Sequence, residues 1–359
     1  MIKNLNPLQL GDLTIKIPIV QGGMGVAVST ASLASAVANY GGAGTIASVG
    51  LGYNSVENET NFVKASREGL QKEIRQSKQL TQGVVGVNIL VAVTNYEDLA
   101  RTAAQEKADF IVSGAGLPIK LPEFVEGTSI KIIPIISSPR AAALIIKTWK
   151  KRYNRLPDAI VVEGPMAGGH LGFSFEELMS PKEQVLEIMV IEVLKIVGEF
   201  EKEYNQKIPV IAAGGIYTGQ DAARFFKLGV SAIQMATRFV ATKECSVSDE
   251  FKKLYIEANE EDIVIIKSPV GMPGRSLKTA LIKKVVEGKK EIVRCGYRCL
   301  KTCDPSSVPY CIAKALFNAV IGKIDDAVVF AGSNVYKIKK IITVKELMDE
   351  IVNDAIAAL

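Results

Sequence analysis

The chain has 359 residues, of which 48% are hydrophobic, 23% charged and 6% aromatic, and these fractions are typical of a folded globular protein. Its 43 basic and 38 acidic residues, a net charge of +5, are spread along the whole length without the basic stripe typical of nucleic-acid binding, so we predict no nucleic-acid partner. Neither a signal peptide nor an apolar run long enough for a membrane span is visible, so we expect a cytoplasmic protein with no membrane partner.

Short apolar runs recur along the chain, and each precedes a stretch with helical signals. They begin at Ile17, Thr45, Val84, Asp109, Ile132, Ala159, Pro209 and Ala232. Continuous apolar runs, rather than alternating ones, are typical of strands that are buried on both faces. Eight such strands alternating with helices predict a closed (β/α)8 TIM barrel of the α/β class, with a doubly wound open sheet as the alternative.

Two helices between the strands have clear boundary signals. The predicted caps and stops are Ser29 or Thr30 with Gly41, and Thr218 with Gly229. The longest gap covers residues 163–182 and comes before a helix predicted from Glu183. Because long loops inside compact domains usually carry function, this loop is a candidate for the site.

About 120 residues follow the eighth strand. We predict that residues 1–245 form the barrel and that 246–325 form a smaller, mostly helical C-terminal cap. Residues 326–359 are expected to pack back on the barrel through a final helix, which Thr343 would cap.

In barrels of this kind the active site lies at the C-terminal ends of the strands. Gly214 and Gly215 follow the seventh strand, and Ala236 and Thr237 follow the eighth. Glycine turns that lead into helix N-termini are typical of phosphate binding, because backbone N–H groups and the helix dipole favour an anion. A tight turn without a ligand is the alternative.

The turn QGGMG after the first strand is not a dinucleotide fingerprint, since the GxGxxG spacing and the acidic residue after the second strand are both absent. Its three glycines would let a flat ring lie against the main chain, and a simple bend of the chain is the alternative.

His170 is the only histidine of the chain and lies in the long loop, in EGPMAGGHLGF. Its ordinary pKa suits proton transfer near neutral pH, and the adjacent glycines allow close approach of a ligand. We therefore predict that His170 is catalytic, with a solvated loop residue as the alternative.

Four of the five cysteines fall within seventeen positions, namely Cys295, Cys299, Cys303 and Cys311. Their spacing matches no zinc or iron–sulfur pattern, so we predict no bound metal. A spacing of four would place the first three on one helical face as small buried residues.

Five segments, in this order, carry a resemblance to a known family: PIVQGGMG, GVNIL, EGPMAGGHLG, PVIAAGGI and QMATRF. They resemble the nitronate monooxygenase family, formerly called 2-nitropropane dioxygenases, over nearly the whole chain. That family also includes flavin-dependent enoyl-acyl carrier protein reductases and NAD(P)H:quinone reductases.

The resemblance implies that FMN binds at the C-terminal rim of the barrel and that His170 takes the catalytic place. The residues implied to bind FMN are Gln21, Gly22, Gly23, Met24, Asn88, Glu163, Gly168, Gly169, Ala213, Gly214, Gly215, Met235, Ala236 and Thr237. Two positions depart from many relatives: Met166 replaces an acidic or polar residue, and Ala236 replaces glycine.

The activity implied is oxidation of alkyl nitronates to a carbonyl compound and nitrite with oxygen. The alternative is an NAD(P)H-dependent reductase that acts on an enoyl thioester or a quinone. Both readings need only small-molecule partners, and a homodimer is left open. A phosphate-substrate isomerase is disfavoured because most strand ends lack a lysine or an acidic pair, and the histidine disfavours a binding module without catalysis.

Overall fold

A short hairpin precedes the barrel and closes the end at which the barrel strands begin. The computed structural model describes residues 5–53, 61–179, 185–293, 295 and 297–359. The hairpin consists of β1 (Leu8–Leu10) and β2 (Leu13–Ile15). Its apolar side chains are buried against inward-facing residues of the barrel, among them Phe110 and Val161. The interior of the barrel is therefore a packed core and not a channel.

Eight parallel strands close into a barrel and coincide with the eight predicted runs. In chain order the barrel strands are β3 (Ile19–Gln21), β4 (Ala43–Ala47), β5 (Val84–Leu90), β6 (Phe110–Gly114), β7 (Lys131–Ile136), β8 (Ile160–Glu163), β10 (Val210–Ala213) and β11 (Ala232–Met235). The short strand β9 (Gly169–His170) follows β8 in the chain and lies outside the barrel. Strand β11 pairs with β3, Ile233 opposite Ile19, and this pairing closes the sheet. The predicted TIM barrel is confirmed, and an open sheet is excluded.

Helices pack around the outside of the strands. They are α1 (Ala31–Tyr40), α2 (Phe62–Leu80), α3 (Tyr96–Gln105), α4 (Leu121–Phe124), α5 (Pro139–Tyr153), α6 (Phe175–Met179), α7 (Val185–Tyr204), α8 (Gly219–Leu228) and α9 (Thr237–Val240). The predicted start of α7 at Glu183 lies outside the described residues. Two large apolar clusters fill the space between these helices and the strands.

The helix boundaries follow the sequence signals with one difference. Thr218 caps α8 through a capping box, and Gly229 ends that helix with a φ of 101°. Thr30 is the N-cap of α1 and Gly41 its stop, but the Thr30 side chain makes no capping hydrogen bond. The Ser29 hydroxyl does not cap α1 either, because it bonds to the turn after β3.

The region after the barrel contains the expected helices and also a sheet that the sequence analysis missed. Its elements are α10 (Asp249–Glu257), β12 (Ile263–Lys267), β13 (Pro273–Leu277), α11 (Ala280–Val286), α12 (Ile312–Val320) and β14 (Val329–Phe330). Strand β13 pairs antiparallel with β12, β14 and β9. Because β9 belongs to the long barrel loop and β14 to the C-terminal segment, this cap sheet crosses both predicted boundaries, at 245 and at 325.

The chain ends in α13 (Val344–Ala358), which Thr343 caps as predicted. This helix packs against α8 and α1 on the outside of the barrel. The contact with α8 is close, since a Cβ atom on Gly219 would lie 2.4 Å from the carbonyl oxygen of Ile351. In the part of the chain that the structure describes, no helix has the length and apolar character needed to cross a membrane.

Two glycines provide a matched test of the packing between strands and helices. A Cβ atom on Gly44 would lie 1.9 Å from the carbonyl oxygen of Ala34 in α1, whereas one on Gly198 in α7 would meet nothing within 4 Å. We expect Gly44→Ala to lower the free energy of unfolding by about 3 kcal/mol, the upper end of the usual cost of overpacking. Gly198→Ala should raise it by about 0.5–1 kcal/mol. Urea unfolding of both variants measures the difference, and equal stability would contradict the packing described.

Candidate functional site

A cleft lies at the C-terminal ends of the barrel strands and has about 1620 Å³ of empty space, its open mouth included. Most of the predicted site residues line it: Gly22, Gly23, Met24, Asn88, Glu163, Gly168, Gly169, His170, Ala213, Gly214, Gly215, Met235, Ala236 and Thr237. Gln21 does not line the cleft. The structure thus brings together turns that lie more than 200 residues apart in the sequence.

Gln21 supports the first glycine turn from behind. Its side chain is fully buried, and its Nε2 donates to the Ser29 hydroxyl at 2.9 Å. Its Oε1 accepts a hydrogen bond from the backbone N–H of Thr45 at 3.0 Å. Gln21 therefore positions the turn, while Gly22 and Gly23 present its backbone to the cleft.

Asn88 reaches the cleft because its neighbour has no side chain. A Cβ atom on Gly23 would lie 2.3 Å from the Cβ atom of Asn88, so any larger residue would displace the asparagine. Among the described residues, none makes a hydrogen bond to the Asn88 amide. This amide is available to a ligand in the cleft.

Gly214 and Gly215 both adopt left-handed backbone conformations, with φ of 97° and 83°. A Cβ atom on Gly214 would lie 2.9 Å from the carbonyl oxygen of Gly164, so glycine is required there by space as well as by φ. Opposite this turn, α9 starts at Thr237. The first N–H groups of a helix lack intrahelical partners, and this end of the cleft therefore suits an anion.

Residues 331–334 form a third wall at the end of the cleft where Gly214, Gly215 and Thr237 lie. The sequence analysis did not predict that this segment belongs to the site. The Asn334 side chain donates to the carbonyl oxygen of Gly215 at 2.7 Å. The backbone N–H of Gly332 donates to the Thr237 hydroxyl at 2.9 Å. The Gly-Ser-Asn sequence of this segment is a turn signal, but no local pattern shows which strand ends the turn will meet.

The histidine loop is held in place by a buried arginine, Arg275. Strand β9 pairs with β13, which places Arg275 opposite Gly169. The Arg275 guanidinium, 4% exposed, donates to the carbonyl oxygens of Ala167, at 2.6 Å, and Pro165. Burial lowers the pKa of Arg275 to about 10, so the side chain remains charged at neutral pH. The loop that carries His170 is thus tied to the cap sheet.

His170 lines the cleft at the end of β9. Its Nε2 lies 2.7 Å from the Ser268 hydroxyl, and its ring packs edge-on against Phe330. Burial lowers the pKa of His170 to about 4, so the imidazole is neutral at neutral pH. Among the described residues none bonds to Nδ1, which leaves that nitrogen for a ligand.

Glu163 ends β8 and also lines the cleft. Burial raises the pKa of Glu163 to about 7. Its carboxyl group is therefore protonated far more readily than that of an exposed glutamate, and its protonated form can donate a hydrogen bond. The family resemblance predicted that Glu163 belongs to the site, but it did not indicate the protonation state of the carboxyl group.

The cysteines do not form the helical face that their spacing suggested. No helix is present among the described residues from Gly288 to Tyr310, and Cys311 is the N-cap of α12. All four are free thiols. Burial and then the other three cysteines raise the pKa of Cys299 to about 12, so its thiol is not ionised at neutral pH.

Within the described residues, no group of three or more His, Cys, Asp or Glu side chains is arranged to hold a metal ion. The lack of a bound metal stays a prediction, which the metal content of the purified protein would test.

Comparison with known proteins gives a match over nearly the whole chain. The family model described as "Nitronate monooxygenase" matches residues 6–354. A "Probable nitronate monooxygenase" of Staphylococcus saprophyticus is 27% identical over 315 residues, which cover 79% of this chain and 81% of that protein. The "(3aS,4S,5R,7aS)-5-hydroxy-7a-methyl-1-oxo-octahydro-1H-indene-4-carboxyl-CoA dehydrogenase" of Mycobacterium tuberculosis is 28% identical over 276 residues, 77% of this chain and 67% of that protein.

Solved structures agree with the fold. FabK from Thermotoga maritima superposes with a TM-score of 0.74 at 28% identity, covering 95% of this chain and 93% of that one. Nitroalkane oxidase from Streptomyces ansochromogenes superposes with a TM-score of 0.72 at 19% identity, covering 96% of this chain and 97% of that one. The second likeness concerns the fold alone.

Proposed function

Because the chain belongs to the nitronate monooxygenase family, we propose that it is an FMN-dependent enzyme that oxidises alkyl nitronates to a carbonyl compound and nitrite with oxygen. The chain is an oxidoreductase of that family. The observation that carries the proposal is the position of His170, whose neutral ring faces the same cleft as the glycine turns.

The donor set of the cleft fits the parts of FMN. The turn at Gly214 and Gly215 and the start of α9 at Thr237 would hold the phosphate with backbone N–H groups. The Asn88 amide would bond to a polar edge of the ring, and the backbone of Gly22 and Gly23 would lie against the ring face. When bound, FMN would accept electrons from the substrate and pass them to oxygen.

His170 would act on the substrate through a hydrogen bond. With a pKa of about 4, the ring is a weak base for removing a proton from a neutral nitroalkane. A nitronate is already an anion and needs no base, and a neutral imidazole can still donate its ring N–H to a nitronate oxygen. These two points favour stabilisation of the nitronate oxygen by His170 over abstraction of a proton.

The second candidate is an NAD(P)H-dependent reductase that acts on an enoyl thioester. It is supported by the dehydrogenase of Mycobacterium tuberculosis, whose name includes a carboxyl-CoA thioester. In both candidates the flavin and His170 would occupy the same places, and only the electron donor and acceptor differ.

The two candidates differ in what reduces the flavin. We expect the flavin-loaded protein, mixed anaerobically with ethyl nitronate, to lose its visible flavin absorbance within seconds, while NADH and NADPH leave it oxidised. Stopped-flow absorbance measures all three rates. Rapid bleaching by NADH or NADPH, with none by ethyl nitronate, would reject nitronate oxidation and support the reductase.

The phosphate end can be tested at Gly215. Gly215→Asp places a carboxylate where we propose the FMN phosphate, so flavin content after purification should fall to a few per cent or less. Gly215→Ala is the matched control, because it brings the same backbone strain and the same 2.9 Å approach to Met166 without the charge. Equal flavin loss in both variants would show that strain, and not a phosphate, explains the result.

The pH dependence separates His170 from Glu163. Since His170 is neutral above a pH of about 4, an inflection of kcat/KM near pH 7 should come from Glu163 and not from the histidine. We expect Glu163→Gln to remove that inflection.

His170→Asn should retain FMN but slow nitronate and nitroalkane oxidation equally, by about 100-fold. A much larger loss with the nitroalkane would show that His170 is a base.

A further inference from the structure

A second pocket adjoins the end of the cleft where we propose the FMN phosphate. It has about 560 Å³ of empty space, its open mouth included, a size that suits a small ligand. We call it the lysine pocket, and its lining residues are Tyr217, Arg238, Ala241, Lys337, Ile338, Lys339, Lys340 and Ile342. Tyr217 and Arg238 line the cleft as well, so the two sites are neighbours with a shared wall.

The Arg238 guanidinium in this wall is already bound within the protein. Its Nη1 and Nη2 donate to the two carboxylate oxygens of Glu350 at 2.9 and 3.0 Å. Nη1 also donates to the carbonyl oxygen of Tyr217 at 3.0 Å, and Cζ lies 4.6 Å from the centroid of the Tyr217 ring. The charge of Arg238 is thus matched by a carboxylate, and the residue gives the lysine pocket a fixed wall.

The unmatched charge of the pocket comes from Lys337, Lys339 and Lys340. All three residues are exposed, and in the described part of the chain none of them forms an ion pair. Other exposed lysines, Lys253 and Lys345, each pair with a carboxylate four residues further along their helix. No Asp or Glu is among the described residues that line the pocket. Three positive charges therefore share one concave surface without a negative charge from its lining.

Lys337 is held over two aromatic rings. Its Nζ lies 5.8 Å from the centroid of the Tyr217 ring and 5.6 Å from that of Tyr336. Both distances are within the range of a cation–π interaction, which orients an ammonium group without neutralising its charge. Lys337 therefore keeps its positive charge for an anion in the pocket.

Glu346 lies within electrostatic reach of Lys340 but has other partners. Hydrogen bonds from the N–H and the hydroxyl of Thr343 lower the pKa of Glu346, and Lys243 and Lys340 lower it further. Its Oε2 accepts from that N–H at 2.7 Å and from that hydroxyl at 2.8 Å, which are bonds of the cap of α13. The carboxylate is thus committed to the helix, and Lys340 remains available to an anion.

The charge of the pocket exceeds that of one phosphate. Lysine ammonium groups bind phosphate oxygens through charge-assisted hydrogen bonds, and a phosphate monoester carries at most about two negative charges at neutral pH. A diphosphate group carries more charge and spans more of the surface, so it matches three lysines better. Ala241, Ile338 and Ile342 add apolar contacts to the lining, which an organic group attached to the phosphates could use.

We propose that the lysine pocket is a second anion site, outside the cleft, and that it binds a diphosphate group, either free or as part of a nucleotide. Lys337, Lys339 and Lys340 would bond to the phosphate oxygens. In a nucleotide, the sugar or the base would lie against the apolar residues. The inference does not rest on the proposed function, because no residue that we place beside the reacting atoms lines this pocket.

Calorimetry with the flavin-loaded protein tests the site, since the phosphate end of the cleft is then filled. The ligands, in magnesium-free buffer, are two matched pairs: AMP with ADP, and inorganic phosphate with inorganic diphosphate. In each pair we expect the second phosphate to tighten binding by about tenfold, and added salt to weaken it. Tighter binding of ADP than of diphosphate would assign the site to a nucleotide, and the reverse order to the free anion.

A double variant and a matched control locate the binding. Lys339→Gln with Lys340→Gln removes two of the three charges and keeps side chains of similar reach. The affinity for ADP and diphosphate should fall by about tenfold or more, while the melting temperature stays unchanged because both residues are exposed. Lys283→Gln with Lys284→Gln removes the same net charge from adjacent exposed positions of α11, away from the pocket lining, and should retain the affinity.

Four outcomes would overturn the inference. They are no binding of either diphosphate ligand, equal binding of mono- and diphosphates, equal losses in the two double variants, and release of flavin by the ligand. Equal losses would indicate general attraction to a positively charged protein, and release of flavin would place the diphosphate in the cleft. A loss confined to the Lys339 and Lys340 variant, with unchanged flavin absorbance, would support the site.

Discussion

The buried guanidinium of Arg275 is the interaction on which the arrangement of the site depends. A buried charge needs hydrogen-bond acceptors, and here the acceptors are the carbonyl oxygens of Pro165 and Ala167. The same path of the loop also pairs β9 with β13, with Gly169 opposite Arg275. The charge and the loop therefore stabilise each other, and His170, three residues further on, is placed by backbone contacts.

Around this loop, burial acts on the protonation of two side chains that line the cleft. Burial acts in opposite directions on the pKa values of Glu163 and His170: it raises that of Glu163 to about 7 and lowers that of His170 to about 4. Each shift disfavours the charged form. In the proposed function the negative charges come from the cofactor phosphate and the substrate, and backbone N–H groups and a neutral imidazole receive them.

The barrel could be predicted from the sequence because buried parallel strands produce local apolar runs, and the glycine turns follow directly from the strand ends. The cap sheet could not be predicted in this way. Strand β14 has two residues and β13 begins with Pro273 and Gly274, so neither resembles a strand, and both depend on pairing with distant segments. Asn95 illustrates a second limit, since its position before α3 is that of a helix cap while its side chain makes no capping bond.

Residues 331–334 close the end of the cleft whose other walls are formed by residues 214–215 and 236–237. A chain emerging from the ribosome folds from its N-terminus, so all eight barrel strands are available before this wall has been synthesised. A nascent chain that stops after β11 would contain the full barrel without the segment that encloses this end of the cleft. The cleft therefore stays incomplete until residues 331–334 have been synthesised.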